Sequence, residues 1–310
     1  MKSFLKKKTT INYLKGYDFI MNKYDGIFTA LLTPFDENNK INEKELEKLI
    51  KFNINMGVSG FYVGGSTGEA FLLSTEERKY VFDIVKACAP QKTLIAHIGS
   101  INEAEASALG LHAALSGYDL VSSITPFYYK FTFEEIKGYY CRLADLTGLP
   151  MLVYHFPAFS GVSMNAEEMT EFLSDKRFAG IKFTSNDFFS LERCRAKFPE
   201  KVIYNGFDEM FMSGLAMGAD GAIGSTYNFM ADKFVKIQKL FNDGKINEAR
   251  KIQNDANEII ALLCRVGVMK GEKEILNQLG FNFGECRHPF TGLSQEEKEL
   301  IEKEIMPKLN

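Results

Sequence analysis

Residues 60–88, GFYVGGSTGEAFLLSTEERKYVFDIVKAC, hold one complete strand, loop and helix. GFYVGG (60–65) is an apolar, aromatic run of strand length, broken by the glycine-rich turn GGSTGE. Ser74, with Glu77 three residues on, then writes a capping box at the head of the helical pattern STEERKYVFDIVKAC. Working outward, further strand runs stand at 26–35, 93–100, 119–127, 150–156, 178–184, 202–206 and 220–225. Helical patterns separate them, the first being NEKELEKLIKFNINMG (42–57), with Leu46, Leu49, Ile50 and Phe52 near helical spacing and Gly57 at its C-cap. The repeat of roughly 25 to 35 residues is that of βα units. Eight strands, each followed by a helix, predict an α/β protein of the (β/α)8 TIM-barrel class. A doubly wound sheet would need fewer parallel strands and a glycine fingerprint after the first, where this chain reads LLTPFDENN (31–39).

The patterns divide the chain into an extension at 1–21, a barrel at 22–243 and C-terminal helices at 244–310. The last part reads as three helices packed on the barrel: NEARKIQNDANEIIALLCRVG (247–267), MKGEKEILNQLG (269–280) and SQEEKELIEKEIM (294–306). The first 20 residues carry five lysines but no continuous apolar core of a signal peptide, so they read as a disordered extension or an upstream start.

With 310 residues and 45% hydrophobic composition, the chain can bury a single large core. A net charge of -3 and no Lys/Arg-rich block after residue 20 argue against nucleic acid or an anionic membrane surface and for a small-molecule partner. Five cysteines (Cys88, Cys141, Cys194, Cys264, Cys286) with no Cys-x-x-Cys point to a reducing, cytoplasmic compartment. Four histidines without paired-ligand spacing predict no protein-bound metal.

In such barrels the active site lies at the C-terminal strand ends. FAGIKFTSND (178–187) puts Lys182 inside an apolar run, where a desolvated amine either lowers its pKa and becomes a nucleophile or pairs with a carboxylate inside the barrel. GGSTGE sets Ser66 and Thr67 between glycines, either as a cradle of amides and hydroxyls for a carboxylate or as a tight turn. Tyr154 shares the interior face of its strand with Leu152, as a proton carrier or as barrel filling. Asp208 and Glu209 suit polyol hydroxyls or cap a helix. Taken together, these groups at one barrel mouth describe a Schiff-base aldolase.

YVGGSTGEAF, TPFYY, VYHFPAFSGV, GIKFTS, YNGFDE and GAIGSTYN, in this order from about residue 22 onward, resemble the N-acetylneuraminate lyase family. The wider superfamily, which includes dihydrodipicolinate synthase, shares the cradle, the tyrosine and the lysine. Its synthases usually carry an arginine after the strand-5 tyrosine, and none stands between Tyr154 and Gly161 here. The resemblance implies a cofactor-free, metal-free homotetramer that cleaves sialic acid to N-acetylmannosamine and pyruvate. It implies that Lys182 forms the imine, Ser66 and Thr67 hold the carboxylate, and Tyr154 carries the C4 hydroxyl proton. It further implies that Thr184, Gly206, Asp208, Glu209 and Ser225 line the sugar end, and that Tyr128 approaches a neighbouring subunit's site. His155 stands where bacterial lyases commonly have asparagine, and Met269 where some relatives have an aromatic residue. The rival readings are a lyase or synthase of the same superfamily acting on a 2-keto-3-deoxy sugar acid or aspartate semialdehyde, and a non-catalytic sensor.

Overall fold

A computed structural model describes residues 23–309. The expected extension at 1–21 lies outside the described residues. Eight parallel strands close into a barrel: β1 Gly26–Ala30, β2 Gly60–Val63, β3 Thr93–His97, β4 Leu120–Ile124, β5 Met151–His155, β6 Phe178–Phe183, β7 Val202–Asn205 and β8 Gly221–Gly224. Each pairs with the next, and β8 returns to β1. All eight sequence-predicted strands form. β1 and β4 stop well short of their predicted C-terminal ends, ahead of Pro34 and Pro126, which have no N–H to give to a ladder.

Alternation along the strands sorts side chains into two apolar layers. Phe28, Tyr62, Ile95, Leu120, Leu152, Tyr154, Tyr204 and Ile223 fill the barrel. Ile27, Phe61, Val63, Val121, Val153, Ile181, Phe183 and Ile203 face outward under the helices. Where strands crowd, only glycine fits: a Cβ on Gly180 would sit 1.7 Å from the Val202 carbonyl oxygen, and one on Gly221 would sit 1.9 Å from that of Gly26.

The first helix, Glu43–Asn55, is capped by the Asn42 side chain, and Gly57 follows it at φ +91°. The capping box read from Ser74 and Glu77 is formed at the head of Thr75–Cys88: Ser74 N donates to Glu77 Oε2 (2.8 Å) and Glu77 N to Ser74 Oγ (3.2 Å). The last barrel helix is Tyr227–Asn242. Beyond it run Ile246–Val266, Val268–Gln278 and Gln295–Leu300, the last continuing through a π turn, Ile301–Ile305, to Met306–Leu309.

The C-terminal segment is tied to the loop after β2 by charge. Lys273 Nζ lies 2.6 Å from Glu69 Oε1, with both side chains buried. Glu69 Oε2 accepts from the Arg287 amide (2.7 Å), and the Arg287 guanidinium forks onto Glu77 (2.5 and 2.8 Å). Burial lowers the Lys273 pKa, and the Glu69 carboxylate opposes that shift. Removing one partner of such a pair leaves an uncompensated buried charge, so Lys273→Met is expected to lower stability by about 3–5 kcal/mol. Urea unfolding with an unchanged m-value checks this, and a midpoint equal to wild type would show the pair to be dispensable.

Candidate active site

β6 delivers Lys182 into the barrel at the register of Tyr154 on β5 and Tyr204 on β7. Its Nζ lies 4.0 Å from the Tyr154 ring centroid and 4.3 Å from that of Tyr62. The residue is 5% exposed, and among the described residues no carboxylate forms an ion pair with it. Asp187, the nearest acid in sequence, instead caps the helix Phe188–Lys197, its Oδ1 accepting from Ser190 N (3.1 Å). Burial lowers the Lys182 pKa to about 7, with the charge of Asp208 opposing the shift. The ion-pair alternative therefore fails, and the amine is poised between its charged and nucleophilic forms at neutral pH.

The cradle follows β2. Gly64 turns at φ +68°, and Gly65 passes so close over Tyr62 that a Cβ would lie 2.6 Å from its ring. Among the described residues, the amides of Ser66 and Thr67 donate to no acceptor, which leaves them free for an anion. Glu69 closes the loop in the left-handed region (φ +58°), held there by Lys273 and the Arg287 amide. Behind the loop, His97 Nε2 accepts from Ile124 N (3.1 Å), so its Nδ1–H donates to the Gly64 carbonyl (2.9 Å). Arg78, a buried cation whose pKa burial lowers to about 10, donates to the His97 and Gly99 carbonyls (2.7 and 3.1 Å).

Tyr154 is buried beside the hydroxyls of Ser66 and Thr184. Burial pushes the phenol pKa up, and these two hydroxyls pull it back. Its position thus joins the cradle to the end of β6. The neighbouring His155 points to the opposite face of β5, its ring 5.4 Å from that of Phe183. Burial lowers its pKa to about 4, with Asp187 opposing, so it is neutral and does not stand behind the Tyr154 hydroxyl.

Across the mouth, the acidic pair splits. Asp208 is buried, and its Oδ2 accepts from Thr226 N (3.0 Å) and Thr226 Oγ1 (2.7 Å). Burial raises its pKa to about 6 and the Thr226 hydrogen bonds restrain the rise. Glu209 is exposed at the rim. Two glycines make room here: a Cβ on Gly206 would lie 1.8 Å from Thr184 Oγ1, and one on Gly224 would lie 1.8 Å from Asp208 Oδ1. Ser225, half-buried, follows Gly224 directly. Tyr128 stands apart, 84% exposed at φ +77°, with its ring against Tyr129 rather than over its own chain's lysine. Met269 is half-buried on the helix Val268–Gln278.

The sequence reading missed Tyr62, His97, Arg78 and Thr226. Strand alternation alone would have found Tyr62; the others come together only through the fold. Among the described residues, no group of three or more His, Cys, Asp or Glu side chains could hold a metal ion, and no helix is long and apolar enough to cross a membrane.

Residues 23–308 match the model of the dihydrodipicolinate synthetase family. The chain belongs to that family. It is 45% identical to a Rhizobium meliloti N-acetylneuraminate lyase over 289 residues, 93% of this chain and 96% of that protein. The Clostridium difficile protein CdNal, solved in complex with mannosamine, superposes with a TM-score of 0.88 at 40% identity, covering 90% of this chain and 97% of that one. The Fusobacterium nucleatum N-acetylneuraminate lyase complexed with pyruvate gives 0.86 at 43%, covering 90% and 95%. The resemblance carried by the six motifs thus extends to the whole described fold.

The lowered Lys182 pKa is directly measurable. After reductive 13C-methylation, one lysine signal is expected to titrate near pH 7 rather than near 10.5 and to be missing in Lys182→Ala. Asp208→Asn removes the anion that favours the charged amine, so the midpoint is expected to move to lower pH. A normal lysine titration at this position would exclude a desolvated amine.

Proposed function

We propose that this protein is a class I aldolase, a carbon–carbon lyase that cleaves N-acetylneuraminate reversibly to N-acetyl-D-mannosamine and pyruvate. The observation that carries the reading is the buried Lys182 amine without a carboxylate partner, set against the Tyr154 ring at one end of a free-amide cradle. The substrate is supported by the similarity to N-acetylneuraminate lyases and to structures holding pyruvate and mannosamine. No arginine follows Tyr154 up to Gly161 to hold a second carboxylate, which disfavours aspartate semialdehyde as the partner aldehyde.

In the cleavage direction, the neutral Lys182 amine attacks the C2 ketone of the open-chain sugar acid, and the Tyr154 phenol gives its proton to the departing hydroxide, so that loss of water leaves a protonated imine beside a phenolate. Ser66 and Thr67 hold the adjacent carboxylate. The imine's positive charge, placed where Nζ lies against the phenol ring, favours the Tyr154 phenolate that takes the C4 hydroxyl proton. The C3–C4 bond breaks, its electron pair passing into the imine to give an enamine, and C4 leaves as the aldehyde of N-acetylmannosamine. Protonation at C3 and hydrolysis release pyruvate and restore the amine. Thr184, Gly206, Asp208, Glu209 and Ser225 would line the sugar end.

Tyr128, exposed and in a strained backbone conformation, would complete a neighbouring subunit's site in a homotetramer. The odd set of free cysteines favours work in the cytoplasm.

Borohydride added with pyruvate is expected to fix an adduct on Lys182 and on no other lysine, as read by peptide mass. Against a panel of keto acids, N-acetylneuraminate is expected to release pyruvate fastest, and Lys182→Ala to release none. Tyr154→Phe is expected to keep the adduct while lowering kcat by about 10²–10⁴-fold. Faster release from a non-aminated sugar acid would replace the substrate, and binding without turnover would favour a sensor.

A further inference from the structure

The histidine inside the barrel is committed entirely to backbone. His97 is fully buried and follows the interior Ile95 by two residues, so its side chain enters the barrel at the mouth. Its ring lies 5.8 Å from that of Tyr62 and 6.2 Å from that of Tyr154, the two rings that flank the Lys182 amine. An imidazole beside a reactive amine suits acid–base work, but neither of its nitrogens is free. Nε2 accepts from Ile124 N at the end of β4 (3.1 Å), and Nδ1 lies 2.9 Å from the Gly64 carbonyl, which can only accept. The two contacts independently demand the same tautomer, neutral with its proton on Nδ1. Arg78 Nη2, 3.4 Å from Nδ1, has the better acceptor in the His97 carbonyl at 2.7 Å.

We propose that His97 is a positioning residue for the carboxylate cradle: its Nδ1–H holds the Gly64 carbonyl and, through that peptide, aims the Ser66 and Thr67 amides at the ligand's carboxylate. This rests on reading the loop as the pyruvate cradle of an aldolase. Gly64 is the hinge of that loop, turning at φ +68°, and without a Cβ it has the widest conformational freedom of any residue there. The far end of the loop is held elsewhere: Thr33 Oγ1 donates to the Gly68 carbonyl (2.9 Å), and Lys273 pairs with Glu69. His97 holds the entry.

Because Ile124 closes β4 and Gly64 follows β2, the imidazole braces both neighbours of its own strand, β3. Gly99 leaves the room for it: a Cβ there would lie 2.9 Å from His97 Nε2 and 3.0 Å from Ile124 N. Arg78 fixes the backbone beneath the ring through the His97 and Gly99 carbonyls. Burial, with the Arg78 charge adding to it, holds the imidazole well below its ordinary pKa, so the neutral form that both contacts need persists at neutral pH.

The test separates the two nitrogens. In His97→Asn the side-chain amide takes the place of Nδ1 and can still donate to Gly64; in His97→Gln it reaches the place of Nε2, where its oxygen can still accept from Ile124. Pyruvate affinity is read from the concentration dependence of borohydride inactivation, and the sugar end from KM for N-acetylmannosamine in the condensation direction. His97→Gln is expected to weaken pyruvate about fivefold, the worth of one hydrogen bond, while His97→Asn stays within about twofold of wild type. The N-acetylmannosamine KM should be alike in all three. Equal weakening in both variants would reduce His97 to packing, and unchanged pyruvate affinity in the Gln variant would show the Gly64 bond to be idle; either result overturns the proposal. So does an N-acetylmannosamine KM that rises in step with the loss for pyruvate. Should these variants not fold, Gly99→Ala, which pushes Nε2 aside, is expected to weaken pyruvate to a similar extent, and wild-type affinity there overturns the proposal. Wild type that forms no adduct with pyruvate overturns the aldolase reading, and the cradle with it.

Discussion

An amine held inside a closed barrel without a counter-ion is the constraint around which this protein is arranged. Lys182 stays reactive only if water is kept away and no carboxylate touches it, and both conditions are met by neighbours that offer ring faces rather than anions. Tyr62 and Tyr154 supply those faces. Asp208 is placed to act on the amine through space, which leaves the pKa near neutrality instead of driving it lower. The same burial that tunes the amine raises the pKa of the Tyr154 phenol and of the Asp208 carboxyl.

The mouth of this cavity needs a strained loop, and the strain is held from outside the barrel. Glu69 adopts a left-handed conformation next to the free amides of Ser66 and Thr67, and the C-terminal segment fixes it through Lys273 on a helix and the Arg287 amide in the loop that follows. The helices beyond the eighth βα unit are therefore part of the site's construction.

Glycine has a specific task at the two crowded strand ends. Gly206 and Gly224 each leave space that the Thr184 hydroxyl and the Asp208 carboxylate occupy. In this way the backbone and side chains of adjacent strand ends interlock, with the Thr184 hydroxyl against Gly206 and the Asp208 carboxylate against Gly224. The acidic pair Asp208–Glu209 shows how fine this placement is, since one residue along a tight turn separates a buried, hydrogen-bonded carboxyl from an exposed one.

The linear chain determined the eight strands, the capping box at Ser74 and the interior placement of Lys182 and Tyr154, because strand alternation and helix capping are local effects legible within a few residues. It also carried the family, through six ordered motifs. It left open whether Lys182 paired with an acid, since Asp187 is near in sequence but committed to its own helix cap. It marked His155 as a departure from the asparagine of bacterial lyases, and alternation turns that ring away from the barrel interior toward Phe183. Tyr62 over the lysine, Thr226 on Asp208 and Lys273 on Glu69 join residues from separate βα units and from the C-terminal helices. Only barrel closure and helix packing bring these together, because contacts across 18 to 204 residues of chain are set by the global fold and leave no periodic signal.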